Sequence, residues 1–200
     1  MPTLSNQFSG RLFASLLIAV MLSGCASQLS SKRRLDENLP ASTRIGVLPF
    51  VNLSGTENAS EIVTDYFNNL VAAGESWQAV EFSRVYDGMR QLRIRSINTM
   101  TADQLAEFGR LVGLDYVLVG SVVEYEEFND TYLGRLPQVS FNCRLLECAS
   151  GRIAWVGTSN GRGDRGEVVF GVGAVRSAET LARSMVENAV DELSGLFSSE

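Results

Sequence analysis

The residues of this chain with the clearest chemistry are Leu22, Ser23, Gly24 and Cys25, which together predict the attachment of a lipid. They follow the apolar run 12–21, and small residues after a short apolar core are typical of the cleavage point of a secretory signal peptide. A leucine, two small residues and a cysteine form the bacterial lipobox, in which the cysteine thiol receives a diacylglycerol. Two acyl signals on one residue anchor a protein stably to a membrane. We therefore predict that Cys25 is lipidated and is the first residue of the mature chain.

The alternative for the N-terminal segment is a transmembrane helix. Such a helix needs about 20 consecutive apolar residues, and the stretch from Leu12 to Leu22 supplies eleven. The segment carries one charged side chain, Arg11, which suits the positive start of a signal peptide. We therefore predict that residues 1–24 are a lipoprotein signal peptide and that the covalent lipid on Cys25 is the only cofactor.

The charge and composition of the chain exclude several classes of function. The formal net charge is −6 and becomes −7 when residues 1–24, with Arg11, are removed. Because binding to phosphates needs a basic face, we expect no nucleic-acid partner. The chain has no histidine, the most frequent general base and metal ligand. A Ser/Lys dyad is not indicated either, since the one lysine, Lys32, lies outside the predicted domain. We therefore predict a protein that is not an enzyme and has no metal site.

Cys143 and Cys148 lie five positions apart in one predicted strand. The odd offset places their side chains on opposite faces, and an extended span of about 16 Å is beyond the reach of a disulfide. A C-x4-C pair without histidine is also a poor zinc site. We therefore predict two free or buried thiols, with Cys143 in the core.

A cluster of carboxylates lies at the end of one predicted strand and consists of Glu124, Glu126, Glu127 and Asp130. Glu124 and Glu126 are predicted to share a face, where paired carboxylates could serve acid–base chemistry or bind calcium. Neither a nucleophile nor a calcium-loop spacing accompanies them. The other interpretations are a solvated strand end that prevents edge aggregation and an acidic rim that faces a pore or a cationic partner. We mark the four residues as a candidate partner-facing cluster.

A glycine-rich run, Gly161 to Gly166, matches the pattern G-x-G-x-x-G. A dinucleotide site needs these glycines between a first strand and the helix that follows it at once. Here the motif lies late in the chain, and no helix is predicted directly after it. We therefore predict an irregular, mobile loop over 161–173 that binds no nucleotide.

Hydrophobic periodicity predicts an alternation of strands and helices. The first strand, 44–51, is apolar on both faces and ends, or lies at a sheet edge, at Pro49. Capping boxes are predicted at Asn58 with Glu61 and at Thr101 with Gln104. The other segments are helices over 59–73, 84–95, 101–113 and 175–197, and strands over 78–82, 115–128, 138–148 and 153–160. The order β-α-β-α-α-β-β-β-α predicts an α/β (α+β) sandwich, in which helices pack on a mixed sheet.

Residues 26–43 separate the predicted lipid from this domain. The segment is polar, lacks periodicity and contains Pro40, which predicts a flexible coil. The basic run 32–34 within it could attract an anionic bilayer or belong to an ordinary solvated linker. We therefore predict that 25–43 is a lipidated tether and that 44–200 is one periplasmic domain.

Three segments of the domain resemble the curli-secretion-channel lipoproteins and their relatives. These are the strand 45–52 with the loop and helix after it, the segment Gly113-Leu-Asp-Tyr-Val-Leu-Val-Gly-Ser-Val122, and the hairpin 144–155 with its Ser-Gly turn and aliphatic–Trp return. The resemblance covers residues 44–197. It implies a periplasmic α/β domain on an outer-membrane lipoprotein, in a family of which several members assemble into rings.

The resemblance is nearer to the smaller relatives than to the curli channel itself. The channel adds two membrane-spanning hairpins to each protomer, and a membrane strand alternates apolar and polar residues over about ten positions. In this chain the available segment, 124–140, is charged and interrupted. The Pel-polysaccharide export lipoprotein has a similar domain without such hairpins, and the penicillin-binding-protein activator lipoproteins share the domain and a long tether. In proteobacteria, a residue other than aspartate directly after the lipidated cysteine is typical of sorting to the outer membrane. Ala26 occupies this position.

Two functions follow from these observations. The first is a non-catalytic lipoprotein on the periplasmic face of the outer membrane, which forms a homo-oligomeric ring or scaffold with other envelope proteins in an export or assembly machine. A lipid anchor would favour such assembly by raising the effective concentration of protomers. The alternative is a monomeric lipoprotein activator or adaptor that docks on an envelope enzyme such as a peptidoglycan synthase.

Overall fold

The computed structural model describes residues 29–34, 39–165 and 174–197. The strands in these ranges are β1 Leu29–Arg34, β2 Arg44–Val47, β3 Val51–Asn52, β4 Gln78–Ala79, β5 Tyr116–Asp130, β6 Gly134–Glu147 and β7 Ile153–Arg162. The helices are α1 Ala59–Ala73, α2 Phe82–Gln91, α3 Ala102–Val112 and α4 Ala178–Ser194, with a 3-10 turn at Ile97–Thr99. No helix in the described ranges is long and apolar enough to cross a membrane.

All seven strands belong to one mixed sheet. Its order is β1-β7-β6-β5-β2-β4, and β3 pairs with β5 beyond the end of β2. β2 and β3 run parallel to β5, and β4 runs parallel to β2. β5, β6 and β7 form an antiparallel meander, and β1 is antiparallel to β7. Within the described residues, the sheet therefore ends at β1 on one side and at β4 on the other.

Helices pack on both faces of the sheet. α1 and α4 bury their apolar sides against one face, together with Leu118 and Phe141 of the sheet. α2 and α3 bury theirs against the other face, together with Val117 and Val119. Successive residues of β5 therefore serve different cores, as the period of two in a strand requires. The predicted fold class, a mixed sheet with helices packed on it, is confirmed.

The alternating pattern of β6 supplies much of the core under α1 and α4. The buried residues on this face of β6 are Val139, Phe141, Cys143 and Leu145. Phe67 of α1 stacks on Phe50, with 4.9 Å between ring centroids, and meets the ring of Phe141 edge-on at 5.6 Å. Such aromatic contacts add to the stabilisation from buried area, so they fix α1 over the centre of the sheet.

The first predicted strand is interrupted at Pro49, as expected. β2 ends at Val47 and β3 begins at Val51, and both pair with β5. Proline has no amide proton for the ladder, and the neighbouring amide of Phe50 turns away to donate to Oγ1 of Thr64, at 2.9 Å. The break therefore leaves no buried donor unpaired at Phe50.

One of the two predicted capping boxes is confirmed. The amide of Gln104 donates to Oγ1 of Thr101 at 3.3 Å, and the amide of Thr101 donates to Oε1 of Gln104 at 3.0 Å. The prediction for Asn58 is wrong, because its side chain makes no capping bond to α1. Its backbone lies at φ −98° and ψ 10°, outside the extended region from which a capping side chain reaches back to the helix.

The tether predicted as coil contains a strand. β1 pairs with β7 from Leu29, opposite Ser159, to Arg34, opposite Trp155. Without β1, the backbone donors and acceptors on the outer side of β7 would form an unpaired edge. Pairing of this kind uses main-chain groups and needs no apolar alternation. The polar sequence of the segment therefore carries no periodic signal for it, and the prediction of coil is wrong for these six residues.

Candidate functional site

The residues predicted to carry function lie in separate parts of the chain. Cys25 lies outside the described residues, and its lipidation stays a prediction. The four acidic residues lie in the far half of β5, on a long hairpin that β5 forms with β6. This hairpin is longer than predicted, since β5 continues to Asp130 and β6 already begins at Gly134. The acidic residues therefore lie along a long hairpin and not at the end of a strand beside the core.

Glu124 and Glu126 share a face of this hairpin, as predicted. The register places Glu124 opposite Ser140 and Glu126 opposite Gln138, after an irregularity between Val122 and Glu124. Oε2 of Glu124 accepts a hydrogen bond from Nε2 of Gln138 at 2.9 Å. The side chain of Glu126 is exposed. One carboxylate of this face is therefore held by the partner strand, and the other faces solvent.

Glu127 and Asp130 stabilise the hairpin itself. Oε2 of Glu127 lies 2.5 Å from Nε of Arg135 on the opposite strand. The carboxylate of Asp130 accepts hydrogen bonds from the amides of Tyr132, at 2.9 Å, and Leu133, at 3.0 Å. These backbone hydrogen bonds hold the pKa of Asp130 below its usual value. The four carboxylates do not converge on one point, and a partner-facing role for them stays a prediction.

The tip of the hairpin carries an exposed aromatic residue that no sequence motif marks as functional. The side chain of Tyr132 is 94 % exposed. Gly134, with φ +75°, completes the turn, and Arg176 donates a hydrogen bond to the carbonyl of Leu133. The turn residues 129–131 were a usable signal for a hairpin here. The tip is therefore held by the segment that leads into α4, while its aromatic ring projects into solvent.

The end of β7 braces the other side of the hairpin. The guanidinium of Arg162 lies over the ring of Phe128, 4.7 Å from its centroid, in a cation–π contact. Nη2 of Arg162 also lies 3.0 Å from Oδ2 of Asp164. The strand thus continues into the segment predicted as an irregular loop, and that prediction is wrong for Gly161 and Arg162.

The glycine of β7 at position 161 has a packing reason. A β-carbon on Gly161 would lie 2.5 Å from Sδ of Met185 and 3.2 Å from Cδ1 of Leu181, so these side chains of α4 would have to shift. Its lack of a side chain therefore permits close packing of helix on strand, which explains this glycine without a phosphate ligand. Residues 166–173 of the predicted loop lie outside the described residues.

A second pattern, Gly157 to Gly161, fits the G-x-S-x-G motif of hydrolases. In that motif the serine lies on a sharp turn between a strand and a helix, exposed above the sheet. Here Ser159 lies within β7, pairs with Phe141 and Leu29, and is 2 % exposed. The chain also has no histidine to activate it. The geometry excludes a nucleophilic serine at this position.

The two thiols of the domain are free, buried and on opposite faces of the sheet, as predicted. Cys143 belongs to the core under α1 and α4, and Cys148 to the core under α2 and α3. Burial raises the pKa of Cys148 to about 12 and raises that of Cys143 above its usual range as well. Because the thiolate is the reactive form, neither residue is a nucleophile at neutral pH.

The segment that begins at Gly113 has a structural role at the opposite end of the sheet. Gly113 ends α3 in the left-handed region, at φ +79°. Asp115 then accepts hydrogen bonds from the amide of Arg44 at 2.8 Å and from its Nη2 at 2.9 Å. The side-chain hydrogen bond from Arg44 holds the pKa of Asp115 below its usual value. This aspartate therefore joins the starts of β2 and β5, beside a cleft of about 410 Å³ that Arg110 and Glu147 also line.

The described residues offer little basis for a metal centre. Within the ranges given above, no three histidine, cysteine or carboxylate side chains are grouped so that they could hold a metal ion. The features that stand out are instead surfaces: a projecting hairpin, two open sheet edges and exposed aromatic residues. They suit contacts with other macromolecules better than the chemistry of small substrates.

No protein-family model and no curated protein matches this chain, whereas solved structures do. The PelC dodecamer from Paraburkholderia phytofirmans is 20% identical, with a TM-score of 0.57 over 85% of this chain and 99% of that chain. Lipoprotein GNA1162 from Neisseria meningitidis is 22% identical, with a TM-score of 0.53 over 76% and 97% of the two chains. The hypothetical protein CT253 from Chlamydia trachomatis is 9% identical, with a TM-score of 0.52 over 78% and 98%.

These similarities establish a shared fold, and one of the three proteins is named as a lipoprotein. They support the predicted likeness to the smaller lipoprotein relatives. The resemblance to the curli-secretion-channel lipoproteins stays a prediction.

Proposed function

We propose that this chain is a non-catalytic lipoprotein, acylated on Cys25 and held on the periplasmic face of the outer membrane, whose copies form a ring that serves an envelope export or assembly machine. The observation that supports the ring most directly is the fold shared with the PelC dodecamer, over 85% of this chain and 99% of that chain. The lipobox sequence at 22–25 supports the anchor. An anchor would also favour assembly, because it raises the effective concentration of protomers near the bilayer.

The register of β1 indicates which end of the sheet lies near the lipidated residue. The register across four strands places Leu29 of β1 at the level of Val122 of β5. Leu29 pairs with Ser159, Ser159 with Phe141, and Phe141 with Val122. From the level of Val122, β5 continues for eight residues to Asp130, so the hairpin tip lies about 26 Å farther along the strands.

The lipidated residue joins the domain at this same end. β1 is antiparallel to β7, and β7 runs in the direction of β5, so the N-terminal end of β1 is nearer the hairpin. Cys25 precedes Leu29 by four residues, a reach of at most about 14 Å. The lipid would therefore be attached at the end of the sheet from which the hairpin projects.

The chemistry of the described residues supports a non-catalytic role. The chain lacks histidine, and Ser159, in its G-x-S-x-G pattern, is buried within a strand. Both domain thiols have a raised pKa because they are buried. Nucleophilic catalysis needs an accessible nucleophile beside a base, and these residues supply neither.

The anchor is tested by separating the membranes of cells that express the chain and measuring the intact mass of the protein. We expect the wild-type chain in the outer membrane with the added mass of its acyl groups, and Ser27→Ala, which leaves the lipobox intact, to behave in the same way. A chain whose residues 1–25 are replaced by an ordinary cleavable signal peptide should be soluble in the periplasm. If that chain stays membrane-bound, or if wild-type Cys25 carries no lipid, the anchor is refuted.

Sorting to the outer membrane is tested by Ala26→Asp. We expect this variant to keep its lipid but to remain in the inner membrane. An unchanged distribution between the two membranes would contradict the sorting role of position 26.

The ring is tested by native mass spectrometry of the lipidated protein in a mild detergent. We expect one large oligomer of defined stoichiometry, and its copy number would set the width of the lumen. A monomer at all concentrations would refute the ring and favour the alternative, an activator or adaptor that docks on an envelope enzyme.

A further inference from the structure

Both edges of the sheet are open in the described part of the chain. β1 and β4 are the last strands on the two sides, and neither has a further strand beyond it in the described ranges. The amide of Gln78 donates to the carbonyl of Thr43 at 2.9 Å, and the amide of Val80 donates to the carbonyl of Ile45 at 2.8 Å. Since alternate residues of a strand direct their main-chain groups to opposite sides, the amide and carbonyl of Ala79 face outward. Such an edge is a template for pairing with another chain.

Two exposed aromatic residues lie beside β4. Phe82 and Tyr86 are 36 % and 48 % exposed, and their ring centroids are 5.4 Å apart. The side of α2 that carries Gly88 packs closely against α3. A β-carbon on Gly88 would lie 2.3 Å from Cγ2 of Val112 in α3. With 3.6 residues per turn, Tyr86 lies on the side of the helix away from Gly88 and thus toward the β4 edge. An exposed apolar pair next to an open strand is typical of an interface.

The sequences of the two edge segments differ in charge. β1 includes Lys32, Arg33 and Arg34. β4 is flanked by Glu75 and Glu81, whose side chains are exposed. Two copies would therefore repel each other through like edges and attract each other through unlike edges. Contacts between two different surfaces are head-to-tail, and head-to-tail contacts close into rings when the rotation permits.

The strand directions suit such a contact. β4 runs in the direction of β5, and β1 runs in the opposite direction. A rotation about an axis along the strands keeps these directions, so the β1 edge of one copy meets the β4 edge of the next in antiparallel orientation. The same rotation keeps all lipidated ends on one side, which is what a ring anchored to one membrane requires.

We propose that neighbouring copies in the ring join through the β4 edge of one copy and the β1 edge of the next, so that the sheet continues from subunit to subunit. This inference rests on the proposed function and assigns the interface of its ring. The paired edge is short, because β4 has only two residues, and interfaces that bury little area are weak. The lipid anchors would offset this weakness by concentrating the copies at one surface.

Engineered disulfides test the contact in the full, lipidated chain in membranes. Ala79→Cys is combined in turn with a cysteine at each position of β1. Within one copy the two edges are five strand spacings apart, about 24 Å, whereas a disulfide needs Cα atoms within about 7 Å. Any bond therefore joins two copies. The native thiols, Cys143 and Cys148, are buried and will not compete.

We expect at least one β1 position to give a ladder of cross-linked species on a non-reducing gel, up to a single largest band. The matched control replaces Ala79→Cys by Glu179→Cys, an exposed position on α4 and not on β4, and should give no ladder. An oligomer in native mass spectrometry without a cross-link at any of the β1 positions would refute the edge contact and leave the ring standing. A monomer in the same measurement would refute the ring itself.

Charge reversal provides a second, independent test. The double variant Glu75→Lys and Glu81→Lys should raise the protein concentration needed for half-maximal assembly about tenfold or more. Adding Lys32→Glu and Arg33→Glu should restore assembly, because the opposite charges are then exchanged between the edges. Unchanged assembly of the first variant, or no restoration by the second pair, would contradict the proposed charge complementarity.

Discussion

Replacing Gly88 by alanine sets helix propensity against packing, and the geometry predicts that packing prevails. Gly88 lies inside α2, and a β-carbon placed on it would lie 2.3 Å from Cγ2 of Val112 and 3.2 Å from Cε2 of Phe108, both in α3. Carbon atoms in contact are normally about 3.5–4.0 Å apart. Val112 is 1 % exposed, so it cannot move aside into solvent. The two helices must therefore separate or repack.

The size of the effect follows from two opposing terms. Alanine stabilises a helix interior by about 1 kcal/mol relative to glycine. An overlap of more than an ångström in a packed core belongs at the upper end of overpacking costs, about 3 kcal/mol. We therefore expect Gly88→Ala to lower the free energy of unfolding by about 2 kcal/mol, despite its better helix propensity.

A double-mutant cycle isolates the overlap. Val112→Ala alone should cost about 2–3 kcal/mol, because it buries two fewer methyl groups and leaves a cavity. In the double variant the new methyl at position 88 occupies part of that cavity. The alanine also keeps the stabilisation from its higher helix propensity. We expect the double variant to lose only about 1 kcal/mol, which corresponds to a coupling of about 3–4 kcal/mol between the two sites.

The assay is equilibrium unfolding in urea, followed by circular dichroism, on the soluble form without residues 1–25. Gly55→Ala is the matched control, since no atom lies within 4 Å of a β-carbon at that position, and we expect it to change stability by less than about 0.5 kcal/mol. If Gly88→Ala is as stable as the control, or if the double variant shows the sum of the single effects, the methyl group at position 88 does not overlap Val112, and the prediction is refuted.

Three further predictions concern an ion pair, a helix cap and the thiols. The hydrogen bonds from Arg44 lower the pKa of Asp115 in the folded state. The stability they provide is therefore present above about pH 4 and is lost as the pH falls through the lower folded pKa. The difference in unfolding free energy between wild type and Asp115→Asn should shrink in acid, and a constant difference would contradict this. Thr101→Ala should cost about 1 kcal/mol in urea unfolding through loss of the cap, while the serine variant should cost much less; equal losses would point to packing instead. Cys143 and Cys148 should resist a water-soluble maleimide in the native protein and react in urea, whereas rapid native labelling would contradict their burial.

Features that depend on neighbours in the sequence were predictable. The alternation in β6 follows from the period of two in a strand, and it predicted that Cys143 and Cys148 lie on opposite faces, where the structure places them in different cores. The cap at Thr101 uses a hydrogen bond to a residue three positions away, so the residue types suffice to predict it. The failure at Asn58 has a related cause, since a cap also needs an extended backbone, and no residue type guarantees that conformation.

The candidate surfaces depended on long-range pairing. The acidic cluster follows from the sequence as a group, but the bonds from Gln138 and Arg135 that engage two of its members exist only because β6 returns along β5. Tyr132 is prominent only because the hairpin projects. These contacts are set by strand register, which side-chain types near each residue do not specify.

By itself, the sequence determined the local elements, the lipobox pattern at 22–25 and the division of apolar residues between two faces, because periodicity and capping act over a few residues. The tertiary structure alone decided that β1 leaves the tether to pair with β7, that Arg44 meets Asp115 from 71 positions away, and that the described part of the sheet ends at β1 and β4. The physical reason is that main-chain groups pair alike whatever their side chains. Which distant strands meet is settled by the packing of the whole domain, and so are the surfaces that remain open.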